Sequence, residues 1–485
     1  MTRMSEIPPE LLTEMTPAVR AFVEALCNRV NEQDRIIAAQ QKRIEELERQ
    51  LGMNSGNSSM PPSSDGPRQQ PAKTPKPKSG RKRGGQPGHP KRTRPLIPTE
   101  DCERVEHHRP TACTDCGAKL SGDDPNPERH QVTDLPVVRP SVTEHQIHTL
   151  ECPDCGCRCR GTLPADVSRG CFGPNVVAAV TLLSSLGRLS QRMIASLLRD
   201  LFCLDVSDGQ ISRLQSIGRR ALQAGYNEIV ADVRNSATLN IDETSWRQNG
   251  RKAWLWTVVG PLGTLFAVRP SRSRDEVHAL LGEDFSGIVV SDRYSAYSHL
   301  DDDCRQFCWA HLISAPKRER GQAMVDRGGS SADAGARLKS SGQELIHHWN
   351  RLQTQQIERA TFDGHCRRLR SEILEALLDG SQCDHLKTAE TCRRLSNECC
   401  SLFVFAHHDD VSPTNNAAEQ SLRKSVIFRK LSFGTEEQTG SRNLTVIMSV
   451  VETCRRLGTR PLEYIHNAVH AAFNRKSTPQ LIPEN

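Results

Sequence analysis

The sequence predicts a multidomain α+β protein, on three observations. Apolar residues recur every seven positions near the N-terminus, two Cys-x-x-Cys-Gly segments follow a basic stretch, and short strands and helices alternate from Ala237 onward. That last run reads strand, strand, strand, helix, strand, helix, strand, the order of an RNase H-like α/β core. A chain of 485 residues has room for about three domains or more. The boundaries read as follows: an N-terminal helix or coiled coil at 1–53, a basic flexible linker at 54–100, and a zinc-binding domain at 101–170. A helical, helix-turn-helix-like DNA-binding domain follows at 171–235, then the RNase H-like catalytic domain at 236–475. A large helical insertion interrupts that domain at 312–412, and a tail occupies 476–485.

In the first element, Val23, Val30, Ile37, Ile44 and Leu51 are spaced by seven, with Leu26 and Leu47 three places after members of that series. β-Branched residues at a and Leu at d favour a parallel two-stranded coil, although Gln33 and Gln40 weaken the seam. The expected assembly is a homodimer or a higher oligomer. The linker follows, rich in Pro, Gly, Ser and Lys, without apolar period. Ten Lys or Arg and no acid lie between Gly66 and Thr99, including Arg81, Lys82 and Arg83. The chain's net charge is only +6, so the rest of it is slightly acidic. A concentrated basic segment suits phosphate contact, and a solvated linker is the plainer reading.

The start of the chain lacks the pattern of a secretory signal, and the longest apolar stretch, Val176 to Leu186, is too short to span a bilayer. The expectation is a cytoplasmic protein with no membrane partner, nucleoid-associated when DNA-bound. Eighteen cysteines in a reducing compartment are metal ligands or small buried hydrophobes rather than disulfides. Cys113 and Cys116, with Cys152 and Cys155, read as two zinc knuckles whose four thiolates complete a tetrahedron around structural Zn²⁺. Cys102, Cys157 and Cys159 are surplus, and a shifted set using Cys157 is the alternative. Val142 to Leu150 alternates and predicts a strand in the loop between the pairs. Two helices are then expected at Leu189 to Leu198 and from Val206, the second capped by Ser207. They resemble a helix-turn-helix, and ordinary helical packing would look the same.

In the core, Ala237 to Asp242 and Gly287 to Ser291 are apolar strands that each lead to an acid, Asp242 and Asp292. First and fourth strands of this topology are parallel neighbours, so the two carboxylates should meet. Glu419 sits in the first turns of a helix begun by Thr414-Asn415-Asn416. Three such acids can hold two Mg²⁺ (or Mn²⁺) ions, and paired cations are how many enzymes cut and rejoin phosphodiesters. Glu243 should face away from Asp242 and play a structural part. Tyr294 to Leu300 predicts a short helix. Arg423, one turn beyond Glu419, could pair with it or grip a phosphate, and Arg429 with Lys430 could contact DNA. Cys308-Trp309-Ala310-His311 follows the fifth strand and makes His311 a lesser candidate for metal or phosphate contact.

Taken together these segments are similar to the insertion-sequence-66 family of bacterial transposases. The resemblance covers nearly the whole chain. It is carried by the N-terminal coil, Asn57 to Asp65, Gly84 to His89, the two CxxCG pairs, Asp242-Glu243-Thr244, Ser291-Asp292-Arg293-Tyr294, Cys308 to His311, Asn415 to Glu419, and Arg429 to Gly434. It implies a DDE transposase with Asp242, Asp292 and Glu419 as its acidic triad. Such an enzyme cuts and joins the DNA of an element whose ends it recognises, and small accessory proteins of the same element take part. One departure follows Cys308 to His311, where the family continues in a basic or aromatic helix. Here Pro316 should interrupt it. The alternatives are a non-catalytic, zinc-dependent DNA-binding protein and a nuclease that hydrolyses without joining.

Overall fold

The computed structural model describes residues 94–164, 167, 170–313 and 321–483, with seven isolated positions between 16 and 40. The coiled-coil reading, nearly all of the basic linker with Arg81, Lys82 and Arg83, and Pro316 lie outside the described residues. The chain divides into two units: Met1–Pro71, Glu144–Ser196 and Val206–Asn485 belong to one, and Ala72–Thr143 and Leu197–Asp205 to the other.

The first CxxC pair lies in the shorter unit. Cys113 N–H donates to Ala118 O and Gly117 N–H to Cys113 O, at 2.8 and 3.0 Å. A bridge between Ala112 and Lys119 closes the loop's base. The second pair, in the larger unit, repeats the pattern. Cys152 N–H donates to Cys157 O and Gly156 N–H to Cys152 O, both at 2.9 Å. It is flanked by β1 (Thr149–Glu151) and β2 (Arg158–Arg160), which pair antiparallel. Each loop turns at a glycine with positive φ, +75° at Gly117 and +70° at Gly156, a conformation that a side chain would strain. Only the end of the alternating Val142 to Leu150 stretch forms strand. Before Thr149, His148 O accepts Gly161 N–H at 2.9 Å, but the ladder with β2 pairs only Thr149–Glu151, so alternation alone does not extend β1.

Among the described residues from 170 onward, four helices precede the main sheet: α1 (Pro174–Ser185), α2 (Gln191–Phe202), α3 (Asp208–Ala221) and α4 (Gln223–Asn235). The Ser207 side chain accepts from Gln210 N–H and caps α3, satisfying one of the orphan donors of a helix start. α3 buries Ile211, Leu214, Gly218 and Ala221, and α1 packs on it.

The main sheet has the order β5-β4-β3-β6-β7. Its strands are β3 (Thr238–Gln248), β4 (Arg251–Val259), β5 (Thr264–Arg269), β6 (Ile288–Ser291) and β7 (Arg305–Phe307). The first three form an antiparallel meander, while β3–β6 and β6–β7 are parallel. β4 is buried on both faces from Leu255 to Val259. α5 (Arg274–Leu281) bridges β5 to β6 and buries Val277, Leu280 and Leu281. After β6 the expected helix is a single 3-10 turn, Ser295–Tyr297. Its i→i+3 hydrogen bonds at Tyr297, Ser298 and Leu300 tighten the chain enough to bring the Tyr297 ring into the core.

β3 does not end at Asp242. It runs on to Gln248 and turns back into β4 at Asn249-Gly250, both with positive φ (+51° and +68°). Asn-Gly is a strong signal for a two-residue hairpin turn, because both central positions of a type I′ turn need positive φ. What ends near Asp242 is the parallel pairing with β6, last seen at Asn240↔Val290.

After β7 come α6 (Trp309–Ile313), α7 (Gly321–Val325), α8 (Gly329–Gln353), α9 (Arg359–Ser381) and α10 (Leu386–Asn397). They share a core with the sheet through Val290, Phe307, Trp309, Leu345, Phe362 and Phe405. α11 (Asn416–Ser432), α12 (Gln438–Arg456) and α13 (Pro461–Phe473) complete the chain. Trp246, Leu255, Phe266 and Leu444 form a second core between sheet and C-terminal helices. α12 also blunts the β5 edge. Ser449 Oγ accepts from Phe266 N–H and Thr453 Oγ1 from Thr264 N–H, at 2.8 and 3.0 Å, so those strand donors are not left open to another chain.

The α11–α12 connection is pinned to the β3–β4 hairpin. Thr435 N–H donates to Arg247 O (3.0 Å), Asn249 N–H to Thr435 O (2.9 Å) and Trp246 Nε1 to Thr435 Oγ1 (3.2 Å). Gly434 makes that approach possible: its φ is +120°, and a Cβ there would lie 2.2 Å from Arg247 O. Gly434→Ala is expected to destabilise the chain by more than about 1 kcal/mol, read as a lower melting temperature. An unchanged melting temperature would show that the hairpin contact is not under this constraint.

Candidate functional site

The β3/β6 register fixes the site. Thr238 pairs with Ile288, Leu239 with Val289 and Asn240 with Val290. Continued by two residues, this places Asp242 level with Asp292, and side chains two apart on a strand share a face. Asp242 Oδ1 accepts its neighbour Glu243's N–H at 2.9 Å, and Asp292 Oδ1 accepts Tyr294 N–H at 2.9 Å. Both carboxylates are thereby held by local backbone.

Asn415, at the start of α11, brings the third acid. Its Nδ2 donates to Ile241 O at 2.7 Å, and its Oδ1 accepts from Asn240 Nδ2 at 3.1 Å. Its own N–H points at Cys308 Sγ (3.1 Å), and its carbonyl accepts Glu419 N–H (3.1 Å). Trp309 N–H donates to Pro413 O at 2.9 Å. One buried residue thus joins β3 through its side chain, and the end of β7 and the helix that carries Glu419 through its backbone. His311 Nδ1 stands 3.4 Å from Glu419 Oε1. Ligand atoms of Cys308, His311 and Glu419 lie within 4.8 Å of one another, although burial pushes the Cys308 thiol up to about 11.

Asp242 is half-buried by exposure, yet protein crowds its carboxyl. Its pKa is raised well above the ordinary carboxylate range, first by burial, then by Glu243 and Asp292, with a smaller contribution from Glu419. These carboxylates therefore feel one another, and crowded acids resist joint ionisation. Glu243 points to a separate pocket, where Tyr297 donates its phenol to Oε2 at 2.8 Å and Arg272 Nε donates to Oε1 at 2.7 Å. The Arg272 guanidinium is stacked over Tyr294 and Trp254, at 3.7 and 4.5 Å. Even so, burial and then Asp292 raise the Glu243 pKa, and burial and then Glu243 raise that of Tyr297. Arg305, buried on β7, directs Nη2 to the carbonyls of Asp292 and Tyr294, both at 3.4 Å. Arg272, Tyr297 and Arg305 carry no local motif. A buried Arg in a three-residue strand is recognisable only once the strand has neighbours.

The basic residues divide. Arg423 and Lys430 are exposed on α11, with no hydrogen bond between Arg423 and Glu419 among the described contacts. Arg429, expected among the DNA contacts, is buried. Its Nη1 donates to Thr244 Oγ1 (3.0 Å) and Ser245 Oγ (2.7 Å) and reaches Ser245 O. It braces α11 against β3, because in a helix its neighbour Lys430 points outward while position 429 faces the sheet. Phe433 is 80 % exposed beside Lys430, with Arg247, Arg251 and Lys252 exposed at the adjoining hairpin.

Each zinc knuckle is suited to a thiolate. The N–H of Cys116 and then that of Asp115 lower the Cys113 pKa, and those of Cys155 and Asp154 do the same for Cys152. Among the described residues no helix is long and apolar enough to cross a membrane.

Comparison with known families agrees with the order of these elements. Residues 103–156, which include Cys113, Cys116, Cys152 and Cys155, match the zinc-finger binding domain of transposase IS66, which supports structural zinc. Residues 7–95 match a family of unknown function, DUF6444. No curated protein matches the chain. Residues 169–443 match the transposase IS66 family over more than half of the chain, Asp242, Asp292 and Glu419 included; the protein belongs to that family.

Proposed function

We propose that this chain is a DDE transposase that cuts and joins the DNA of an insertion sequence on an RNase H-like core, with Asp242, Asp292 and Glu419 as the acidic triad. The observation that carries this reading is the parallel β3/β6 register, which sets Asp242 level with Asp292 while Asn415 ties Glu419's helix to the same strand. The donor set fits divalent metal. It is oxygen-only and mutually repelling, and no Lys or Arg is paired to these three carboxylates among the described contacts. Mg²⁺ (or Mn²⁺) bound there would favour the ionised forms and activate a water or 3′-hydroxyl for attack on phosphate. The residues themselves supply anionic oxygens in fixed positions. Arg305 holds the Asp292 loop, and Arg272 with Tyr297 holds the Glu243 carboxyl by ion pair and hydrogen bond. The two knuckles supply four thiolates, Cys113, Cys116, Cys152 and Cys155, for structural zinc. The helices before the sheet serve DNA recognition. Pairing of two element ends needs at least a homodimer, with accessory proteins of the element as further partners.

The test uses the purified chain with Mg²⁺ and duplexes carrying the inverted repeats that flank its gene. End cleavage and joining to a second duplex are expected. Cleavage without joining would leave a hydrolytic nuclease, and specific binding without either would leave a DNA-binding protein.

The basic linker makes a separate prediction. Five phosphates engaged by its cations would give a slope of log affinity against log salt of about −4.5. Deleting Arg68 to Arg94 is expected to flatten that slope for specific and random duplexes alike. An unchanged slope would make the segment a spacer.

A further inference from the structure

Glu344 and His348 lie one turn apart on α8 and so share a face. His365 meets them from α9, which packs along α8. One ligand atom from each lies within 4.8 Å of the other two. His348 Nε2 stands 3.4 Å from Glu344 Oε1. The two imidazoles stack with centroids 3.7 Å apart and planes 10° from parallel. His348 is only 7 % exposed, and its Nδ1 is buried without a hydrogen-bond partner. An unpartnered buried nitrogen is a standing penalty in a folded protein, and packing alone would be better served by an apolar side chain.

We infer that Glu344, His348 and His365 form a transition-metal site, best matched to Zn²⁺, that clamps α8 to α9 apart from the acidic triad. Two imidazoles and one carboxylate are a zinc donor set, with water in the fourth position. Mg²⁺ prefers oxygen donors and would not compete well. Glu344 and His365 are half-buried, so an ion can reach the site. Arg368 also contacts Glu344, but it keeps Glu372 at 2.6 Å as a second partner. Glu344 can therefore yield an oxygen to a metal without leaving Arg368 unpaired. Ligand atoms must close from the present spread to the separations of a tetrahedron, a matter of side-chain rotation on two fixed helices.

The experiment counts zinc on the full chain, stripped with chelator, titrated with Zn²⁺ and dialysed. Because cysteine-bound zinc contributes equally to every sample, the reading is the difference between proteins. His365→Ala and Glu344→Gln, both at half-buried positions, should each hold one zinc fewer than the parent. Each should lower the affinity of that ion by at least about a hundredfold. His347→Ala, an exposed neighbour on α8 outside the set, should match the parent. With Co²⁺ in place of Zn²⁺, sulfur-to-cobalt absorption should persist in both variants, showing that the knuckles are intact. Circular dichroism of the stripped proteins confirms that the helices remain. Equal zinc counts in the parent and both variants would overturn the site, whatever the outcome for DNA cleavage. Loss of the ion in His347→Ala alone would overturn it too, as would loss of sulfur-to-cobalt absorption.

Discussion

Asp242→Asn, Asp292→Asn and Glu419→Gln are each expected to lower DNA cleavage and joining about a thousand-fold or more, with DNA-end binding retained. Each change keeps the side chain's shape and removes a charge that would hold a divalent metal. Loss of several kcal/mol of charge stabilisation corresponds to that factor. The same substitutions give a second reading that loss of folding would not. The Asp242 pKa is raised in the fold, chiefly by burial and then by Glu243 and Asp292. Ionising it therefore opposes folding, and the penalty enters as pH rises from the unfolded value of about 3.9 toward the raised folded value. At neutral pH, without divalent metal, Asp242→Asn should melt no lower than the parent and is expected to melt higher. Added Mg²⁺ should raise the parent's melting temperature more than the variant's. Joining at the parent rate by purified Asp292→Asn would sink the triad, and a destabilised Asp242→Asn would contradict the electrostatic account of the site.

Cys113→Ser is expected to lose the structural zinc and to unfold the zinc module while the acids still bind Mg²⁺. Structural zinc contributes on the order of 10 kcal/mol to small modules. The short elements around these loops, three residues each in β1 and β2, bury no residue that could substitute for it. Metal analysis should show zinc falling by one equivalent, and limited proteolysis should cut between 101 and 170. Binding to element ends should weaken, while cleavage of a pre-nicked duplex should be affected less. Zinc content equal to the parent's would refute the role given to Cys113.

Much of the sheet was legible because its strands alternate or run apolar between clear turns. β4 shows its two-sided burial in Trp254 to Val259, and Gly260-Pro261-Leu262-Gly263 marks its end. The far end of β3 is less plain: Asn249-Gly250 announces a hairpin, but the apolar run gives out at Asp242, six positions before the strand's end at Gln248. Asp242 and Asp292 stand out in the sequence because each follows an apolar run, and Glu419 because it lies in the first turn of a helix. Their supports do not. Asn415 reads as an ordinary helix-start residue until Ile241 and Asn240 are beside it, and Tyr297 is one tyrosine in a short turn. Arg429 shows the converse limit. A Lys-Arg pair in sequence looks like surface charge, but the helical period sends 429 inward and 430 outward, and only the packing of α11 on β3 decides which.

The Asn415 contacts also set an order of events during synthesis. They join residues 174 and 175 positions apart in the chain, with the helices of Gly321 to Asn397 in between. A ribosome adding about 5–20 residues per second completes the knuckles and the helices before the sheet well before Glu419 emerges. Distant pairings of this kind form late, after the loops between them have been closed. The nascent chain therefore carries its zinc-finger region and first helices for many seconds before it holds Glu419. A product truncated within Gly321 to Asn397 would lack that acid altogether, and if stable it would occupy element ends without cutting them. If the chain acts as proposed, the length of chain between β7 and α11 separates arrival at DNA from competence to break it.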